Sequence, residues 1–142
     1  MPRLARKPKP SAAPPNGLAE EARPFVHDEI VRGIKAKRVK ELIDRNVLDK
    51  KQVYRVIPER TFNRRLANGE ALKTSEADAI ARLLRVIDAA MKGFGDADFA
   101  RRYLSLANPA LGNRVPIELA ETDAGAREVE YAIMRFAQGI YI

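Results

Sequence analysis

Residues 49–69 read DKKQVYRVIPERTFNRRLANG, and the reading of this stretch decides the fold. Asp49 followed three residues later by Gln52 resembles a capping box, which opens a helix over 49–56. Val53 and Val56, three apart, face its core side. Pro58 cannot continue that helix, yet its fixed φ suits the first turn of a new one. The second helix is predicted over 58–67, with Phe62 and Leu66 four apart on one face, and Asn68-Gly69 stops it. Two short helices joined by a tight turn have the size of a helix-turn-helix unit, with the second helix as candidate reader.

Working outward, the pattern stays helical. No stretch alternates with period two, so an all-α fold without a sheet is expected. Toward the N-terminus, a helix is predicted over 24–32, with Val26 and Ile30 on one face and Gly33 ending it. Another is predicted over 36–45, burying Val39, Leu42 and Ile43, with Asn46 as a left-handed cap. Toward the C-terminus, Ser75 is the expected cap of the longest helix, 76–92. Its stripe is Ile80, Leu83, Leu84, Ile87 and Met91, and Gly93 is expected to end it. Asp96 caps a helix to about 106, with Phe99, Tyr103 and Leu106 inward. Residues 108–116 carry turn chemistry, and Pro116 starts one helical turn through Ala120. Thr122 caps the last helix, to 138, with Asp123 favourable at its positive end. Ala126, Val129, Ile133, Phe136 and Ile140 form its stripe, which fits either a core or a partner interface. The expected organisation is an arm over 1–23, a helix-turn-helix domain over 24–93, and a small helical domain over 94–142.

Charge separates these parts. The chain has 142 residues and a net charge of +7. Residues 25–70 hold twelve basic and seven acidic side chains, whereas residues 71–142 hold nine and ten. A basic N-terminal half points to a polyanionic partner, nucleic acid first and an anionic membrane second; plain solubility is the alternative. Residues 1–23 include five prolines and no apolar period, so a mostly disordered basic arm is expected, either adding phosphate contacts or passive. Cysteine is absent, which excludes disulfides and thiolate metal sites. No apolar run reaches the roughly 18 residues of a membrane helix, and the basic, proline-rich start has no secretory h-region. No membrane role and a cytoplasmic location are therefore expected.

Candidate DNA contacts follow from the same stretch. Arg60, Thr61, Asn63, Arg64 and Arg65 form the polar face of the second helix. Arginine forks onto guanine O6 and N7, asparagine can pair with adenine, and Thr61 suits a phosphate or a thymine methyl. Lys50, Lys51 and Gln52 begin the first helix, where charge and backbone N–H groups suit phosphate. An ordinary solvated helix face is the alternative reading of these residues. No catalytic constellation is visible. His27 is the single histidine, and the acidic pairs Glu20-Glu21 and Glu128/Glu130 lack a catalytic partner. Neither a Walker loop nor a dinucleotide-binding glycine pattern is present, so no enzyme, cofactor or metal is expected.

Four segments resemble one known family in order. Residues 56–65, VIPERTFNRR, resemble the V-I-P-x-R-T-[LF]-x-x-R motif of Xre-like antitoxins of the Xre/MbcA/ParS type. Residues 108–119, NPALGNRVPIEL, resemble their N-x-A-L-G-G-R-T-P-L-E-L signature. Residues 122–130, TDAGAREVE, resemble T-x-x-G-A-x-x-V-E, and residues 135–141, RFAQGIY, are similar to the closing R-I-x-x-G-[VI]-[YF]. Asn113 stands where a second glycine is usual and Val115 where threonine is usual. Asparagine tolerates left-handed backbone, whereas losing threonine removes a cap before Pro116. The resemblance implies a type II antitoxin that binds operator DNA, represses its own operon, dimerises, and occludes the active site of a RES-domain toxin that consumes NAD or transfers ADP-ribose. Carried over onto this chain, the toxin contacts are Arg114, Arg135 and a C-terminal plug of Gly139, Ile140, Tyr141 and Ile142. The alternative is a plain helix-turn-helix transcriptional regulator whose C-terminal helices only dimerise.

Overall fold

The structure is a computed structural model and describes residues 22–139. Residues 1–21 of the arm expected over 1–23, and the terminal Ile140, Tyr141 and Ile142, lie outside the described residues; of the arm's last two residues, Ala22 is buried in the core. In chain order the helices are α1 (His27–Arg32), α2 (Ala36–Asp44), α3 (Lys50–Val56), α4 (Glu59–Asn68), α5 (Thr74–Phe94), α6 (Ala97–Ser105), a 3-10 turn (Pro109–Leu111), α7 (Pro116–Leu119) and α8 (Asp123–Ala137). The fold is all-α. Among the described residues, extended pairing is limited to two isolated bridges, Lys35 with Ala71 and Asn108 with Arg114.

The long helix α5 is the spine: α1, α3, α6 and α8 all pack on it. Its buried side includes Ile80, Leu83, Leu84 and Met91, as the period predicts, while Ile87 is only partly buried. The first bridge ties the start of α2 to the start of α5: Leu72 N–H donates to Ile34 O at 2.8 Å and Ala36 N–H to Glu70 O at 3.1 Å. One apolar core runs from Phe25 through α2, α3 and α5 to Ile133 on α8.

Several expectations need correction. The first helix begins at His27, not 24, and buries nothing; Val26 is 52% exposed and Phe25 is buried instead. The Glu29 carboxylate organises this corner. It accepts from Val26 N–H at 3.1 Å and pairs with Arg38 at 2.7 Å and Arg23 at 3.2 Å. The bond from Arg38, then that from the Val26 N–H, hold its pKa down at about 2. Arg38 also lies over the Phe25 ring, 4.8 Å from its centre.

The long helix is not capped by Ser75 and does not end at Gly93. It starts at Thr74, where Glu76 accepts from Lys73 N–H at 2.7 Å, and it runs to Phe94 before Gly95 turns left-handed at φ 68°. Gly93 is inside the helix for lack of room. A Cβ there would lie 3.0 Å from Ile133 Cγ2 and 3.6 Å from Ala137 Cβ, so the glycine lets α5 and α8 approach closely. The extra turn brings Phe94 into the core, with ring centres 5.0 Å from Phe99, 4.8 Å from Tyr103 and 5.5 Å from Phe136. In α6 the buried residues are Phe99, Ala100, Tyr103 and Leu104; Leu106 falls past the helix end. The stripe of α8 is core: Ala126, Val129 and Ile133 are buried and Phe136 joins the aromatic cluster.

Candidate functional site

The α3–α4 pair has Ile57 and Pro58 as its whole connection. Ile57 is fully buried and Pro58 takes φ −50° as the cap of α4, so the turn is pinned to the core. Behind α4, Phe62 is buried and tilts against Tyr54 with ring centres 6.1 Å apart, while Leu66 packs at the core's edge. Gly69, at φ 66°, ends α4. The opposite face therefore points outward, and it exposes Arg60, Asn63 and Arg64 with Thr61 half-buried beside them. Lys50 and Lys51 are exposed at the start of α3, and Gln52 is half-buried. Lys50, Lys51, Arg60 and Arg64 make no ion pair with any described residue.

Two details depart from the expected DNA contacts. Arg65 is buried, at 6% exposure, and its guanidinium pairs with Glu76 of α5. Arginine at that helical position turns inward and fastens α4 to the spine; it does not share the outward face of Arg64. The expected capping box at 49–52 is a single cap: the Asp49 side chain accepts from Lys51 N–H at 3.0 Å. That N–H is spent inside the chain, which leaves the lysine side chains as the exposed cationic groups at this helix start.

In the C-terminal half, the irregular segment is closed by Asn108. Its side chain accepts from Ala110 N–H at 2.9 Å, and its carbonyl accepts from Asn113 N–H at 2.9 Å. Asn113 takes φ 60°, the left-handed conformation in which asparagine substitutes for glycine. Val115 offers α7 no side-chain cap. Arg114 donates from Nε to Leu111 O at 2.7 Å and reaches Glu128 at 3.4 Å, so it braces the loop against α8. Thr122 caps α8 by accepting from Gly125 N–H at 2.9 Å. Only glycine fits at 125, because a Cβ would lie 1.9 Å from Leu119 O. Arg135 lies over the Tyr131 ring at 5.2 Å and donates to its hydroxyl at 2.8 Å. Gly139 is exposed at the end of α8 with φ 74°.

Ion pairs stitch the halves together, and the sequence reading missed them. Arg55 of α3 meets Glu121 at 2.6 Å, Arg82 of α5 donates to Glu121 O at 3.0 Å, and Arg85 holds Asp123 at 3.2 Å and also Glu130. Glu128 and Glu130 are thus partnered, and His27 is an exposed residue opening α1. Also missed were Tyr131 and Met134, 54% and 46% exposed. Their signal was available, since neither lies on the 126–129–133–136 stripe.

Comparison with known proteins places the C-terminal half in a recognised class. Residues 89–139 match the family model described as the antitoxin Xre/MbcA/ParS C-terminal toxin-binding domain. The chain is 28% identical over 114 residues to an antitoxin Xre of Pseudomonas putida, covering 80% of this chain and 72% of that one. It is 38% identical over 86 residues to an antitoxin Xre of Yersinia enterocolitica, covering 60% and 58%. A third antitoxin Xre, from Photorhabdus laumondii, is 27% identical over 127 residues, covering 87% and 86%.

Proposed function

We propose that the chain is an antitoxin of the Xre/MbcA/ParS type, which neutralises a RES-domain, NAD-consuming toxin by occluding its active site and represses its own operon by binding operator DNA. The match of residues 89–139 to a toxin-binding domain carries the first part. In this reading α8 is a rigid rod, fixed to α5 by its buried stripe and by Arg85, and it presents Gly139 at its free end. In the same reading the segment beyond Gly139, Ile140-Tyr141-Ile142, is the plug, and Arg135 and Arg114 are further toxin contacts. The antitoxin inhibits by filling space, with no catalytic step and no cofactor of its own.

The exposed cations of α3 and α4 support the second part. Lys50 and Lys51 face phosphate, and Arg60, Asn63 and Arg64 read base edges from a helix held by Phe62 and by the Arg65–Glu76 pair. Domain roles divide near residues 93–94, and a homodimer in the cytoplasm presents two such units to a two-fold operator.

The deciding experiment follows NAD consumption by the protein encoded beside this one, purified with the full chain and with a chain ending at Gln138. Full inhibition by the first, and retained binding without inhibition by the second, is the expected result. Equal inhibition by both removes the plug. If neither binds the neighbour, the chain is better read as a regulator that acts on DNA alone.

A further inference from the structure

Burial divides α8 into two sides. Ala126, Val129 and Ile133 are buried against the core. The outward stripe holds Arg127, Glu128, Tyr131, Met134 and Arg135, with Tyr131 at its centre by the 100° helical step. Among the described residues, the exposed large hydrophobic side chains are Val26, Val31, Tyr131 and Met134. The last two are therefore the ones inside residues 89–139, and they lie three apart on a single face.

The makeup of this stripe is unlike a solvated helix surface. Tyrosine, methionine and arginine are the residue types enriched at interface cores. Leaving Tyr131 and Met134 in water forgoes apolar burial that would favour a complex. Two of the cations around them already have partners within the helix. Arg135 stacks on the Tyr131 ring and donates to its hydroxyl, and Arg127 is held by Asp123 at 3.0 Å. A side chain that is held before binding loses less entropy on docking.

We infer that the outward face of α8, centred on Tyr131 and Met134, is a docking surface for the toxin, separate from the C-terminal plug. The inference rests on the antitoxin reading above. The match to a toxin-binding domain supplies the occupant, and the exposure pattern selects the face. The complementary surface is an apolar groove that seats the Tyr131 ring and the Met134 thioether, with carboxylates on its rim facing Arg127 and Arg135. Affinity then comes from the helix face and inhibition from the plug, so the two are separable by mutation.

The test measures binding of full-length variants to the purified neighbour-encoded protein by titration calorimetry, with sedimentation and thermal unfolding on the same samples. Tyr131→Ala with Met134→Ala is expected to weaken Kd at least tenfold, with an unchanged melting temperature because both side chains are exposed. Val26→Ala with Val31→Ala, the other exposed apolar pair, is expected to leave Kd within twofold. Wild-type affinity in the α8 variant overturns the docking surface while leaving the antitoxin reading intact. No binding by the wild-type chain overturns both. Loss of a self-associated form with unchanged Kd overturns the inference by assigning the face to a second copy.

Discussion

On α3 and α4, four exposed cations, Lys50, Lys51, Arg60 and Arg64, make no ion pair with any described residue, against one exposed carboxylate, Glu59. On the last helix and the loop before it, the cations are occupied. Arg127 holds Asp123, Arg114 holds Glu128 and Arg135 donates to Tyr131, while Arg85 reaches across from α5 to Asp123 and Glu130. The large apolar side chains left exposed there are Tyr131 and Met134. Each half has satisfied its own folding requirements and exposes a different residue. A surplus of positive charge suits a polyanion at long range. An uncovered aromatic and thioether suit a protein groove at contact distance. On the function proposed above, the contrast lets one chain serve two partners without one surface competing with the other.

The largest blow to the contrast is structural. Phe94→Ala empties the centre of the aromatic cluster and is expected to cost about 4 kcal/mol, read as a lowered denaturant midpoint. Because α5 serves both halves, both partner affinities should fall together as the fold is lost. Gly125→Ala comes next, at about 3 kcal/mol, since its Cβ must push the Leu119 carbonyl away from the start of α8. If that variant melts like wild type, the tight turn at Thr122 does not exist as described.

Neighbouring arginines sharpen the comparison within α4. Arg65→Ala strands Glu76 and should destabilise the chain by about 2 kcal/mol, toward the low side for a broken buried pair because Glu76 keeps the Lys73 N–H. Arg64→Ala should leave stability within about 0.5 kcal/mol and instead weaken operator binding by about 1–3 kcal/mol in a mobility-shift titration. Equal effects of the two substitutions on stability would mean that the inward and outward faces of α4 are misassigned.

The smallest effect is a pH dependence in the N-terminal corner. Glu29 has its pKa lowered from 4.5 to about 2, so its stabilisation is fully present above about pH 4.5 and is lost as pH falls toward 2. Glu29→Gln should therefore cost about 1 kcal/mol at pH 7, allowing for the exposed arginine partners, and almost nothing near pH 2. A difference between the two proteins that stays constant across that range would place the contribution elsewhere than in the carboxylate.

Much of this molecule is legible in the order of its residues. The all-α class, the two short helices around Pro58, the caps at Asp96 and Thr122, and the left-handed Asn46 and Asn113 depend on local preferences that a short window contains. The same holds for the buried stripes of α2, α5 and α8, whose periods repeat within single helices, and for the motifs that point to the antitoxin family. Tertiary structure decided what depends on a distant neighbour. Gly93 carries a helix stop signal, but Ile133, forty residues on, makes it a close-packing site. Arg65 looks like its neighbour Arg64 until Glu76 of another helix claims it. Arg55 and Glu121, far apart in the chain, become the link between the halves. A residue's type and spacing set what it can do. Which of those options it takes is set by the groups that folding brings within hydrogen-bond or contact distance, and these lie beyond any local window.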